Sequence, residues 1–188
     1  MIRSSLLSLR TLSKSSSVIF NQLTNRTLVI THQPLLSLCS SAPQTLTSVE
    51  EFMKKHEISV SDSNAPAPVL TFDSSGLPDY LLNKLASQFS APTPIQAQSL
   101  PIALSGKNMV GIGQTGSGKT LAFLLPAFIH IKNERERLGL SEGRRSGGPL
   151  VLVLAPTREL AKQIEDVARA FRNVTKISTV CCIGGEGR

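Results

Sequence analysis

Eight consecutive residues, Gly113-Gln114-Thr115-Gly116-Ser117-Gly118-Lys119-Thr120, follow the pattern G-x-x-x-x-G-K-[ST] without a mismatch. The residue types suit phosphate. Glycines let the backbone turn tightly, with N–H groups aimed inward at anionic oxygens. A helix N-terminus directly after the loop favours negative charge. Lys119 brings a cation for β- and γ-phosphates, and Thr120 a hydroxyl for Mg²⁺. The spacing names a ligand class, a nucleoside triphosphate with Mg²⁺, with all eight residues as contacts and Thr120 as the metal ligand. A glycine turn that merely closes a strand needs no Lys-Thr pair.

Such a loop must leave a strand and enter a helix. Residues 108–112 have the apolar content of a short buried strand, and 121–125 that of a helix start. Upstream, Tyr80, Leu81, Leu82, Leu85 and Phe89 recur at helical spacing. After the turn Ala91-Pro92-Thr93-Pro94 a second helix runs to about Leu104. Downstream, the charged stretch 132–145 is expected as a surface loop. The apolar run 150–154 is expected as a parallel strand covered on both faces. Leu160, Ile164, Val167, Ala168 and Phe171 then mark one stripe of a helix. A further strand is expected over 176–182, ending at Gly184-Gly185. Strands alternating with helices define an α/β, doubly wound domain, with ligands outside the carboxyl ends of its strands.

Composition bounds the rest. The chain has 188 residues, room for one domain of roughly 100–150 residues and a tail. Its longest apolar run, 121–131, is interrupted by Pro126 and falls short of the ~18 residues a membrane span needs. Cys39, Cys181 and Cys182 have neither metal spacing nor a disulfide framework. The adjacent pair, in an apolar stretch, is expected in the core of a protein from a reducing setting. The formal charge of +7 falls to +3 without Arg3, Arg10, Lys14 and Arg26. The basicity therefore belongs largely to the tail and argues only weakly for nucleic acid.

Residues 1–49 carry no Asp or Glu, many Ser, Leu and Thr, and those four cations. This is the composition of an organelle transit peptide, mitochondrial before plastid, on a disordered targeting tail. A flanking segment, 50–68, follows, with a possible helix over 49–58 and a loop rich in Ser, Asp, Asn and Pro; the globular part is expected from about Val69. No internal repeat is present.

Two more stretches join the phosphate loop. Phe89-Ser90-Ala91-Pro92-Thr93-Pro94-Ile95-Gln96 lies 17 residues ahead of it, and Pro156-Thr157-Arg158-Glu159-Leu160-Ala161 follows the next strand. In this order the three resemble the Q motif, motif I and motif Ia of DEAD-box RNA helicases. The resemblance covers about 69–188, with the Q-motif region at 70–98 and the ATP-binding domain from 99 onward. It implies an incomplete RecA-like P-loop NTPase domain, a parallel sheet with flanking helices. It also implies ATP as the nucleotide, with Gln96 reading the adenine edge through an amide that both donates and accepts. Phe72 would pack on the base, although without the family ordinary core is the favoured reading. Pro156, Thr157 and Arg158 match residues that grip the RNA backbone, contacts that position RNA without reading its sequence. Gly184 and Gly185 resemble a glycine doublet near the RNA path, and a plain turn accounts for them equally well. Gln88 stands where the family usually has Gly, which bears on local turn geometry.

Neither Asp-Glu-Ala-Asp nor a second RecA-like domain occurs in these residues, so no catalytic residue is assigned. The expected function is that of an ATP-dependent RNA helicase, represented by an N-terminal fragment that binds ATP and hardly hydrolyses it. The alternative is a naturally short, non-catalytic ATP- or RNA-binding form. A small-molecule kinase is disfavoured by Gln96 and the 156–161 motif.

Overall fold

Two buried helices carry the nucleotide motifs. Helix α3 (Pro94–Leu104) starts with proline at its first position, where the missing N–H costs nothing. The Gln96 side-chain oxygen accepts the Thr93 N–H at 3.0 Å, satisfying a backbone donor just before the first turn. From Gln96 to Ala103 every residue is buried. Helix α4 (Lys119–Arg137) packs against it with an almost wholly buried first half, Leu121 to Phe128. The computed structural model describes residues 18–23, 27–31, 46–140 and 148–185.

Helix α4 runs further than expected. Residues 132–137, read from the sequence as part of a loop, continue the helix. Arg137 pairs with Glu134 at 2.8 Å one turn away, and Lys132 Nζ stands 3.9 Å above the Tyr80 ring. These contacts give a charged surface something to hold. The helix ends at Gly139, with φ +63. Leu140 N–H reaches the Arg135 carbonyl at 2.9 Å and Gly139 N–H that of Glu136 at 3.0 Å, the paired bonds of a left-handed glycine cap.

Helix α1 (Leu46–Lys55) precedes the flanking loop, and α2 (Asp79–Ala86) carries the buried Leu81 and Leu85. Helix α5 (Arg158–Ala170) buries Ile164 and Ala168. Phe171, at its end, stacks obliquely on Phe128 of α4 with centroids 5.7 Å apart. The four-residue α6 (Arg172–Thr175) follows.

The sheet contains β1 (Val18–Leu23), β2 (Thr27–Thr31), β3 (Met109–Ile112) and β4 (Val151–Leu154) in the order β3-β2-β1-β4. Strand β2 is antiparallel to β3, with Val29 opposite Val110; β1 is antiparallel to β2 and parallel to β4, with Phe20 opposite Val153. Strands β3 and β4 therefore run in the same direction, as an α/β domain requires. They are not neighbours, because a hairpin from the upstream segment pairs with both. Most of 1–49, on which the transit-peptide reading rests, lies outside the described residues.

Two expectations for the sheet are corrected. Strands β3 and β4 are not covered on both faces: Val110, Ile112, Leu152 and Leu154 are 58, 69, 48 and 43% exposed. One face has no helix over it among the described residues. Residues 176–182 do not form a strand either. After Lys176, with φ +57, exposure alternates residue by residue from the buried Ile177 to Ile183, the period of extended chain. No described strand lies beside this segment to make a ladder. The alternation leaves Cys181 partly covered and Cys182 exposed, so the pair does not belong to the core.

Candidate functional site

The phosphate loop leaves the carboxyl end of β3 and enters α4 through Gly118, whose φ of +88 is left-handed. A Cβ there would stand 2.5 Å from Gln96 Nε2 and 2.8 Å from Thr93 Oγ1. Glycine is thus required twice, for the backbone angle and for the close approach of α3. The approach is a hydrogen bond: Gln96 Nε2 donates to the Gly118 carbonyl at 3.1 Å, across 22 residues of sequence. One amide therefore holds the start of its own helix with its oxygen and the phosphate loop with its nitrogen.

Lys119 is nearly buried, at 9% exposure. Its Nζ donates to the Gly113 and Gln114 carbonyls, each at 2.6 Å. The ammonium bridges the two sides of its own loop, standing where the loop converges. Burial pulls it below the ordinary lysine pKa. The Ser117 hydroxyl, buried at the base of the loop, has no hydrogen-bond partner among the described residues. It lies 3.1 Å from where a Cβ on Gly113 would stand. Gln114, Thr115 and Gly116 are exposed, and Thr120 is half-buried.

This arrangement fits a polyphosphate. It offers a glycine, Gly118, too crowded for a side chain, a cation held by carbonyls it can leave for stronger acceptors, and an unsatisfied hydroxyl. Lys119, the loop N–H groups and the start of α4 would hold the phosphates. Among the described residues no group of three or more His, Cys, Asp or Glu could hold a metal ion.

Phe72 lies in the apolar cluster that also contains Val69, Leu77, Leu100 and Leu121, and is 8% exposed. The structure thus seats it against the core, in the same cluster as Leu121 of the first turn after the phosphate loop. The sequence did not disclose what seats it. Pro101, inside α3, has no N–H for the Ala97 carbonyl four residues back. That carbonyl instead accepts Val69 N–H at 2.9 Å. Gln98 Nε2 donates to the Pro66 carbonyl at 2.9 Å. Lys107 Nζ donates to the Asn64 carbonyl at 2.9 Å and stands 3.5 Å from Asp62. The one signal available in sequence was a proline in a helix interior.

The second group of expected residues surrounds the start of α5. Pro156, Thr157 and Arg158 are exposed after β4. The Thr157 hydroxyl oxygen accepts Leu160 N–H at 3.2 Å, capping the helix as threonine does at this position. Gly185, with φ +84, faces Arg158: a Cβ there would stand 3.0 Å from one guanidinium nitrogen. The structure therefore joins Arg158 to the glycine doublet. Around Gly184 a Cβ would meet nothing.

A strand–loop–helix phosphate cradle with an amide-bearing helix locked to it defines a P-loop nucleotide-binding domain of the RecA-like class. Comparison with known proteins identifies which. The DEAD/DEAH box helicase family matches residues 93–188, just over half of the chain, and the chain belongs to that family. It is 47% identical over 149 residues to DEAD-box ATP-dependent RNA helicase 14 of Arabidopsis thaliana, covering 79% of this chain and 23% of that protein. It is 47% identical over 145 residues to ATP-dependent RNA helicase dbp2 of Aspergillus niger, covering 77% and 25%. Among solved structures, the RNA helicase Prp28 from Chaetomium thermophilum bound to ADP is similar, with a TM-score of 0.67 and 36% identity over 80% of this chain and 36% of that one. The chain spans about a quarter of the length of these curated relatives.

Proposed function

We propose that this chain is the ATP-binding part of an RNA-dependent ATPase of the helicase kind, and that its own residues bind ATP·Mg²⁺ without efficient turnover. The observation that carries the reading is the double attachment of Gln96, at the start of α3 and at Gly118. The amide keeps a second N–H and a second lone pair for a base edge, which makes base and phosphates one site. Lys119 would exchange the Gly113 and Gln114 carbonyls for phosphate oxygens. Thr120 would face the metal, which supplies charge neutralisation for the polyphosphate when bound. Thr157, Arg158 and Gly185 would receive RNA phosphates at the start of α5. Hydrolysis in this family's chemistry needs acids to orient water and metal, and these 188 residues contain no Asp-Glu-Ala-Asp sequence. Delivery to a mitochondrion, or else a plastid, is proposed from the composition of 1–49 alone. Imaging those residues fused to a fluorescent protein tests it.

The test of function is a titration of the full chain with ATP and Mg²⁺, followed by phosphate release with and without single-stranded RNA. Saturable ATP binding with negligible RNA-stimulated release is expected. Release at rates typical of helicases, roughly 1 s⁻¹ or faster on the usual enzyme scale, contradicts the proposal, as does the absence of ATP binding.

A further inference from the structure

One turn of α3 faces two ways. Gln96 reaches the phosphate loop, while the Ala97 carbonyl and the Gln98 side chain reach the flank that leads to Phe72. The flank is otherwise loop, yet it is fastened at three points: Asn64 to Lys107, Pro66 to Gln98 and Val69 to Ala97. The last bond exists because Pro101 cannot supply the helical N–H that would occupy the Ala97 carbonyl. Beyond Val69 the chain turns at once through the short 3₁₀ helix Asp73–Ser75 and the left-handed Gly76, at φ +73. The Phe72 carbonyl is held there by Ser75 N–H at 3.0 Å and by the Ser75 hydroxyl. From Val69 to Leu77 there is little freedom left.

Gln98 is 7% exposed, and its side-chain oxygen is buried without a hydrogen-bond partner. A buried amide with an unsatisfied oxygen costs stability relative to an apolar side chain of similar size. What that cost secures is the fixed position of Pro66, three residues before Val69.

We propose that Gln98 and Pro101 are positioning residues for the base end of the nucleotide site. Gln98 holds the flank by its Pro66 bond, and Pro101 acts by keeping the Ala97 carbonyl vacant for Val69. Together they set Phe72 in register with the Gln96 turn, so that the flank and the phosphate loop move as one unit with α3. This inference rests on the reading of Gln96 and Phe72 as the base end of an ATP site.

The test compares ATP with inorganic tripolyphosphate, which has the phosphates and no base, on the full chain. Amide exchange across 66–72 is measured alongside. In Gln98→Leu, exchange over 66–72 rises and ATP affinity falls about tenfold, the worth of roughly one lost buried hydrogen bond and its ordering, while tripolyphosphate affinity stays unchanged. Pro101→Ala restores a helical N–H and raises helix propensity, so it folds at least as well. Its ATP affinity falls about threefold, by a fraction of one hydrogen bond, with tripolyphosphate again unchanged. Equal losses for both ligands overturn the proposal, because they mark general loosening of the fold. Increased exchange with undiminished ATP binding also overturns it, since the flank is then outside the site. Equal binding of ATP and tripolyphosphate by the unmodified chain refutes the base-end reading itself and the proposal with it. Unchanged exchange over 66–72 in both variants refutes the fastening alone.

Discussion

The chain has two strand–loop–helix turns to which the proposal assigns phosphate, and they are built on opposite terms. At the start of α4 the ammonium and the amide are held from within: Lys119 rests on two carbonyls of its own loop, and Gln96 rests on Gly118. At the start of α5 they are presented outward. Pro156, Thr157 and Arg158 are exposed, with the Thr157 cap and the approach of Arg158 to Gly185 beside them. The difference follows from what lies behind each turn. Helix α3 is buried from Gln96 to Ala103 and packs on α4, whereas β4 leaves Leu152 and Leu154 exposed beside the second turn. A site that must discriminate one small ligand gains from rigid packing. A surface that tracks a polymer backbone needs charge and reach more than enclosure.

The largest expected effect lies in the enclosed turn. Lys119→Ala removes both carbonyl contacts and the loop's own cation, and ATP affinity should fall about 30- to 100-fold, as for loss of a charge-assisted pair. Fluorescent-nucleotide titration measures it, and a loss below about threefold would make the two turns energetically alike. Gly118→Ala should come next. A left-handed backbone angle and a 2.5 Å approach to Gln96 Nε2 cost about 1–3 kcal/mol of stability, read by denaturant unfolding. At the open turn Arg158→Ala should weaken single-stranded RNA binding only a few-fold and lower the salt slope by about 0.7, the value for one phosphate on a single strand. A loss as large as that of Lys119→Ala would contradict the contrast.

A pH series sharpens the contrast further. Because burial holds the Lys119 pKa below the ordinary lysine value, its charge is lost at a lower pH than that of an exposed lysine. ATP affinity of the unliganded chain should decline on the alkaline side sooner than an exposed lysine would allow. Lys119→Arg should flatten that decline, since guanidinium stays charged throughout.

The enclosed turn was legible in the sequence because its chemistry is local. Within eight contiguous residues four positions are set, two glycines, a lysine and a threonine, and Gln96 sits at the start of a helix marked by Thr-Pro. The link between Gln96 and Gly118 was not legible, because it is a contact between distant segments that no spacing encodes. The same holds for Pro101 and Val69, and for the approach of Arg158 to Gly185. Hydrophobicity misled at β4: a continuous apolar run states that both faces can be covered, not that they are. It misled again at 176–182, where the two-residue period is real but no described strand pairs with it. In the charged stretch after Ile131, polarity signalled exposure correctly and shape wrongly, since Lys, Glu and Arg are good helix formers.

In the proposed site Gln96 joins base recognition to the phosphate loop, and the ATP-site reading depends on that link. The most direct measurement is ATP against GTP binding to the full chain, unmodified and as Gln96→Ala. The account predicts a preference for ATP of about tenfold or more, the value of one well-placed polar contact, and its disappearance in the variant. Equal affinity for the two nucleotides in the unmodified chain, or a preference that survives Gln96→Ala, would contradict it.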